Sequence, residues 1–524
     1  MRYTDVEIQY DASDTSITDD TVTKNLNYTS DSNGDFSTNP TVTITFTNAH
    51  TLAGITVNFA TDTARKMTVT WTHAFGTSSK QFDIDSMNFV INQSITGCTQ
   101  IVLTFTKAIP ESKINVDTVK YGVYLVWDKD KIKTANLVLE TDRIAERLSV
   151  NTLTFDIIDS DESTNPGNKD GIHNFLQKRK PVYPHEYING TKKALGDFFL
   201  ENFNYEKNIC HVTAVSYISL FDTVQYDKGD VYNNTPAGTV LADIFATMGI
   251  TSYTIDSETA AYPLYGALPP CTCKEAIRQI LFVCHSVIDT SDASNIKIKK
   301  STTGVFGELR KEDKFSTKVT KKDYVSGVCI KYTHYALSSE TTQIINDVYS
   351  AGTHRITFAT PYANYTIAGA TMNSYGKFYV DFTVSGTQQV IVTANAYQSL
   401  NNSVQVNTYD AEEDESVKEF STTLCNITTA RTLARKLLNY YANRFEIEVK
   451  YLADDVDMSK RLEIFNPTDD FENYIGIVTS RTLDLTGGFI DIAKFIGYFD
   501  ISDSMYFMID ETDEEVIADD SLIL

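Results

Sequence analysis

Apolar and polar residues alternate with a period of two along most of this chain, and that period suits β-strands, not helices. It is clear at Thr41–Phe46, Ile55–Phe59, Met67–Trp71 and Ile101–Phe105, and again late, where Phe445, Ile447, Val449 and Tyr451 alternate with Glu446, Glu448 and Lys450. Aromatic usage agrees: 30 Tyr and 28 Phe against 2 Trp, with abundant Thr and Val, is the composition of a mostly-β protein. The period changes at three places. Val240, Leu241, Ile244, Phe245 and Met248 make a short amphipathic helix closed by Gly249, and Cys273, Ala276, Ile277, Ile280, Leu281 and Cys284 make a second. A longer helix runs from Ile427 to Tyr441, with Ile427, Ala430, Ala434, Leu437 and Tyr441 on its stripe, and Leu433 and Leu438 widening it. Thr428 or Thr429 is placed to cap it, and Arg431, Arg435, Lys436 and Asn439 lie off the stripe.

At 524 residues the chain exceeds one ordinary core, and about three to five domains are expected. With 45 Lys and Arg against 69 Asp and Glu, the net charge is −24. Such a surface repels phosphate backbones and argues against general nucleic-acid binding. No segment approaches the ~20 apolar residues of a membrane helix, and the opening Met-Arg-Tyr-Thr-Asp lacks the apolar region of an export signal. Neither membrane insertion nor Sec export is expected. The seven cysteines (98, 210, 271, 273, 284, 329, 425) have no zinc-finger spacing, so free thiols made in a reducing cytoplasm are expected, with no metal and no cofactor.

The pattern divides the chain into six parts. Residues 1–122 read as short strands between polar turns, a β-sandwich or jelly roll. Residues 123–227 are strand-like, with LVLETDRIAERLSVNTLTFDIIDSDE read as alternating, and 228–300 form a small α/β subdomain with a hairpin-like pair at Tyr253–Ile255 and Ala267–Pro270. Residues 301–420 return to β, 421–500 hold the helix–strand unit, and 501–524 form an acidic tail. Counted from Asp500, that tail carries nine acids (500, 503, 510, 511, 513, 514, 515, 519, 520) and no base, with Met505–Ile509 as a candidate docking strand. The run Asp410–Glu415 reads as a solvated loop.

No motif carries catalysis. Asp454, Asp455 and Asp457 lack the spacing and central glycine of a calcium loop, and Gly238–Thr239 lacks the lysine of a phosphate loop. The eight histidines fit no HExxH or triad pattern. The acids Asp156, Asp159 and Asp161 would serve a glycosidase only if two faced each other across a cleft about 5 to 9.5 Å wide. The chain is therefore expected not to be an enzyme. Trp71 and His73 are the best sugar-stacking candidates, but period two puts both on one sheet face, and the core reading is preferred. The basic run Lys178, Arg179 and Lys180 is either a solvated loop or a contact with an acidic neighbouring subunit; Arg431 and Arg435 are the other subunit-interface candidates.

Several segments resemble known families. Leu52–Trp71, Cys98–Ala108 and Val116–Tyr124 are similar to the strands of a galactose-binding-like (discoidin-type) jelly roll. Val212–Tyr217 followed by Leu220–Phe221–Asp222 resembles the first β-barrel of phage tail hub proteins. Ala430, Leu433–Ala434, Leu437–Leu438 and Tyr440–Tyr441 resemble that family's late helix, and Gly476–Ser480 and Asp484–Gly488 its closing strands. The resemblance covers about Gly122 to Asp500 and is to the baseplate hub or tail-tip proteins of tailed phages. It implies a mainly-β fold with an α/β insert: an N-terminal jelly roll, then two β-barrels at 123–227 and 301–420, small helical subdomains, and a closing helix that seals the second barrel. It also implies a structural virion protein, a homotrimer whose paired barrels join a sixfold tail tube to a threefold tip during host attachment and genome delivery. The implied partners are tail-tube or distal tail ring proteins and tip or fibre proteins, with DNA passing through the channel. A host cell-surface glycan is an open option. Its place would be the tail tip of the virion, after synthesis in the host bacterial cytoplasm. The competing readings are a carbohydrate-binding host-recognition protein and a glycan-degrading tail enzyme.

Overall fold

A computed structural model describes all residues except 1, 12–16, 85, 161, 163, 169–172, 174–175, 291–294, 302–304, 311–313, 409–415, 453–460, 466, 468–472, 488–489 and 500–524. The acidic tail, the 410–415 run, the 454–457 acids, Asp161 and Gly488 lie outside the described residues. The chain is mainly β with a small α/β insert. It divides into two compact units, residues 1–135 with 154–214 and residues 136–153 with 215–524.

The first unit contains a two-sheet sandwich. One sheet has five strands in the order Asp20–Asn25, Thr41–Leu52, Ile95–Ala108, Ala64–His73, Gly76–Asp83; the other has three, Asn88–Ile91, Ile55–Phe59, Val116–Tyr121. Alternate residues such as Val42, Ile44, Val57, Val69, Leu103 and Phe105 point between the sheets and are fully buried. The period-two pattern read at 41–46, 55–59, 67–71 and 101–105 is this inner face.

One strand assigned to that first domain belongs elsewhere. Arg2–Asp11 pairs with Val123–Trp127 on one side and Pro181–Ile188 on the other, in an antiparallel sheet that continues through Phe198–Glu206 and Ile209–Ser216. Val6 and Ile8 are fully buried on one face. On the other, buried Glu7 pairs with Lys120, and Asp5 with His185 at 3.0 Å. Those charged partners set the placement, and they are remote in sequence. The segment from Leu137 to Ile158 is also not one alternating run: the strand Ile132–Glu140 ends in a turn, with Ala145 at φ 51°, before Thr152–Ile158.

The second unit is organised around the α/β insert. Helices α1 (Ala237–Thr247), α3 (Cys273–Cys284) and α4 (Ile427–Ala442) share one core with the strand bases Val328, Ile330 and Tyr332, and the short α2 (Ser257–Ala261) packs against α1. The expected stripes are the buried ones: Val240, Leu241, Ile244 and Phe245 in α1, and Cys273, Ala276, Ile277, Ile280, Leu281 and Cys284 in α3. Gly238 serves close packing, since a Cβ there would meet Ala260 at 2.9 Å. The expected hairpin between Tyr253–Ile255 and Ala267–Pro270 does not form. Tyr253–Ile255 runs parallel to Ile296–Lys300, and Pro263–Leu268 pairs with Asp230–Pro236.

Helix α4 departs from expectation twice. Its cap is Asn426, which accepts from Thr429 N–H at 2.9 Å while the Thr429 hydroxyl accepts from Asn426 N–H at 3.0 Å, a reciprocal capping box. Its stripe does not seal a second barrel. Ala430, Leu433, Ala434, Leu437 and Leu438 are buried in the α/β core, while Ile427 is 54% exposed.

Residues 301–420 are likewise not one barrel. Gly327–Tyr349 and Gln388–Asn407 form a long antiparallel hairpin, and Val417–Thr422 lies parallel at its base. Beyond the base, the strands Gly352–Thr357, Thr371–Tyr375 and Tyr379–Val384 form a small sheet with a separate core of Ile345, Tyr365, Val380, Phe382, Val390 and Val392. In the second unit, residues 136–140, Tyr474–Asp484, Ile490–Phe499, Phe445–Leu452 and Lys314–Lys321 follow one another as an antiparallel run of a large sheet. Gly476 lies opposite Gly497 in this ladder, and a Cβ at Gly476 would meet the Tyr474 ring at 2.4 Å. Gly476 makes room for that ring, whose hydroxyl donates to Phe445 O (2.8 Å) or Phe495 O (3.1 Å), while a Cβ at Gly497 would meet Ile475 O at 2.0 Å.

The two ends of α4 should respond differently to truncation. Leu437→Ala removes a fully buried side chain and is expected to cost about 2–5 kcal/mol, whereas Ile427→Ala should stay within about 0.5 kcal/mol. Denaturant midpoints of the two variants measure the difference.

Candidate functional site

Among the described residues the clearest concavity is an open cleft of about 580 Å³ in the second unit. Arg278, Gln279 and Phe282 of α3 form one wall, and Lys331–Thr333 with Asn401–Ser403 from the hairpin base form another. Helical period places 278, 279 and 282 on one side of α3, opposite the buried stripe. Both cations are already matched. Arg278 forms a forked pair with Glu275 at 2.6 and 2.7 Å, and Lys331 meets Glu419 at 2.6 Å. Burial works to raise the Glu275 carboxyl, but its bonds from Arg278 and Gln279 outweigh that and hold it below its ordinary value. The cleft is thus locally neutral, with hydroxyl and amide groups among a lining that is otherwise largely apolar.

Among the described residues the first unit holds three His–Asp pairs: His50–Asp19 at 2.7 Å, His185–Asp5 at 3.0 Å and His211–Asp156 at 2.6 Å. Asp156 also accepts from the Thr134 hydroxyl at 3.0 Å, which links three neighbouring strands. Such a pair is the base half of a nucleophilic device, and it needs a hydroxyl or thiol on the other ring nitrogen. Among the described residues none is bonded there at His185 or His211. Asp159, read with Asp156 as a possible carboxylate pair, is buried and accepts from Thr164 N–H at 2.8 Å and its hydroxyl at 2.6 Å. It organises its own turn. No group of three or more His, Cys, Asp or Glu that could hold a metal occurs among the described residues.

The sugar-stacking candidates separate. Trp71 is 3% exposed and packs edge-on to Phe82 in the sandwich core, so neither ring face is open to a sugar. His73 ends the same strand next to Phe75, which is 87% exposed; Phe75 N–H donates to His73 Nδ1 at 3.3 Å. In the basic run, Lys178 pairs with Glu201 at 2.8 Å. Arg179 adopts a left-handed φ of 68°, and its N–H donates to Leu200 O at 2.7 Å. The run therefore shapes the turn into the strand Pro181–Ile188. Arg431 is exposed and Arg435 half-buried on the outer side of α4.

Sequence reasoning missed the buried polar groups. Arg143 is 1% exposed, donating to Val478 O at 3.0 Å and to Ser301 O at 3.3 Å. Arg481 and Asp491 form a buried pair, and Tyr451 donates to the same carboxylate at 2.6 Å. The Arg481–Asp491 signal was present as charged residues at inward positions of a period-two strand; Arg143 sits in a turn and gives no periodic signal. The cysteines are free thiols, and burial pushes Cys425 up to about 12 and Cys98 up to about 11, which keeps them protonated and unreactive.

His285 closes α3 at a left-handed φ of 52°, with its Nε2 buried and unpartnered. Burial first, then Lys436 and Lys300, push its pKa down to about 3. The unfolded chain, with a histidine near 6.5, binds a proton that the folded chain refuses. This contribution to stability is complete above about pH 6.5 and is lost as pH falls toward 3, at up to about 1.4 kcal/mol per pH unit. His285→Asn tolerates the left-handed backbone and should flatten the stability–pH curve in that window, as read by urea unfolding at stepped pH.

No protein-family model matches the chain, and no curated protein does. Solved structures do. A tail protein from Neisseria meningitidis aligns over 71% of this chain and 93% of its own, at 9% identity and a TM-score of 0.44. The prophage MuSo2 tail protein from Shewanella oneidensis aligns over 71% and 95%, at 7% identity and a TM-score of 0.41. A prophage tail protein from Listeria monocytogenes aligns over 72% and 92%, at 8% identity and a TM-score of 0.40.

Proposed function

We propose that this chain is a structural component of a virion tail, a baseplate hub or tail-tip protein. The observation that carries the reading is the order of elements. An antiparallel run of strands comes first, then an α/β insert holding α1 to α3, then α4 leading directly into the strands 445–452, 474–484 and 490–499 of a further antiparallel run. The hub resemblance calls for a first barrel, an α/β insert, a second barrel and then the closing helix and strands; here the hairpin and small outer sheet stand in place of the second barrel, and its closing-strand step Gly476–Ser480 lies in the strand 474–484. In this role the chain acts by shape, with three copies around the tail axis joining a sixfold tube to a threefold tip. Its partners are further copies of itself, tube or distal-ring proteins, and tip or fibre proteins. Lys178, Arg179, Lys180, Arg431 and Arg435 are the subunit-interface candidates. No catalytic step is assigned to it.

A carbohydrate-binding module is the second reading, favoured by the sandwich and the exposed Phe75, but it loses Trp71 to the core. Light scattering on purified full-length chain tests the first reading: a mass of three chains is expected. A stable monomer that binds host glycans would replace the hub with the binding module, and turnover of cell-wall glycan would replace both with an enzyme. With Arg431 and Arg435 at the interface, Arg431→Glu combined with Arg435→Glu should shift the trimer toward monomer while leaving the circular dichroism spectrum unchanged.

A further inference from the structure

The cleft beside α3 has a particular chemical balance. Its hairpin wall is one sheet face read across three strands, with Lys331 between Ser403 and Ser421, and Thr333 beside Asn401. Residues directly opposite in neighbouring strands share a face, as do residues two apart along one strand, so these five belong together. Arg278, Gln279 and Phe282 of α3 form the other wall, and Pro269 and Tyr332 add apolar surface. Both cations of the lining are held by acids of the same chain, Arg278 by Glu275 and Lys331 by Glu419. No Asp or Glu lines the cleft among the described residues. The neutral polar groups are less committed. The hydroxyls of Ser403 and Ser421, both exposed, make no hydrogen bond among the described residues. Asn401 accepts from the Thr333 hydroxyl at 3.1 Å through Oδ1, which leaves its amide N–H groups over. Gln279 donates to Glu275 at 2.8 Å through Nε2, which leaves its carbonyl oxygen over.

These four groups select a class of ligand. The two hydroxyls both donate and accept, the Asn401 amide donates, and the Gln279 carbonyl accepts. A phosphate or carboxylate needs donors together with an unpaired cation, and an ammonium needs a free carboxylate. The lining offers neither. A peptide strand would bind through an open row of backbone groups, but the strand of Lys331 is paired on both sides. A neutral ligand with several hydroxyls and an apolar ring face meets both halves of the lining. We propose that this cleft binds a neutral saccharide, its hydroxyls bonded to Asn401, Ser403, Ser421 and Gln279 and its C–H face along Pro269 and Phe282. The volume of about 580 Å³ is that of a small-molecule site. The cleft belongs to the second unit, whereas Trp71, His73 and Phe75 belong to the first. The inference goes beyond the structural role above and does not depend on it, since a monomer and a trimer both carry the cleft.

Saturation-transfer NMR on the full-length chain tests this with three neutral probes, chitotriose, maltotriose and lactose, and one anionic probe, sialyllactose. At least one neutral probe should show transfer. Asn401→Ala combined with Ser403→Ala removes two bonding groups and should weaken that binding about tenfold, with the thermal unfolding curve unchanged. Should that variant fail to fold, Ser421→Trp decides: it fills the cleft from an exposed position on the edge strand Val417–Thr422 and should abolish the transfer. Transfer to none of the neutral probes overturns the proposal. Transfer that survives the cleft variants also overturns it, and its loss in Phe75→Ala would then place the sugar on the sandwich. Tighter binding of sialyllactose than of lactose overturns it as well, because the cleft would then hold an unpaired cation. Light scattering reads the trimer separately, so either result stands without the other.

Discussion

Arg143 is the interaction on which the second unit most depends. Its guanidinium is buried and directs donors to the carbonyls of Val478 and Ser301, while Ser301 Oγ–H donates back to Arg143 O. One side chain thus ties the turn after residue 140, the end of the α/β insert and the strand Tyr474–Asp484. Ile144, Ala145 and Leu148, just after it, belong to the core shared by α1, α3 and α4. A planar fork suits this task, because a lysine would supply a point charge and could not hold two carbonyls in fixed directions.

With that tie in place, the hydrophobic core and the strand Tyr474–Asp484 are held together beside the base of the long hairpin. Val328, Ile330 and Tyr332 anchor the hairpin base in the core, while the strands beyond are exposed on both sides until the small outer sheet with its own core begins. Leu337 and Leu400 are exposed along that ribbon. A packed base, an extended ribbon and a separately packed end make up this part of the second unit.

Much of the local structure was legible in the amino-acid order because burial imposes its own period. Val42 to Phe46, Ile447 to Tyr451 and the α3 stripe are buried in the alternation that the sequence displays. The cap of α4 was misplaced by two or three residues, since Asn426 and the threonines after it offer similar oxygens and only the reciprocal bond to Thr429 distinguishes them. Trp71 and His73 share a strand, yet one enters the core and the other ends at a turn beside Phe75; period alone does not say where a sheet's hydrophobic cover stops. The cleft beside α3 had no signal, because its lining comes from segments far apart in the chain.

By itself the sequence determined the mainly-β class, the three longer helices and the faces they bury, because these follow from spacing within a few residues. Tertiary structure alone decided which strands are neighbours. Arg2–Asp11 left the sandwich for a sheet whose partners begin more than a hundred residues later, and residues 301–420 divided between a hairpin, a small outer sheet and the edge of a large one. Strand pairing is carried by backbone groups that nearly every residue possesses. The choice among partners therefore rests on distant side chains, such as Lys120 against Glu7 or Arg143 against Val478, and these become neighbours only when the chain is folded.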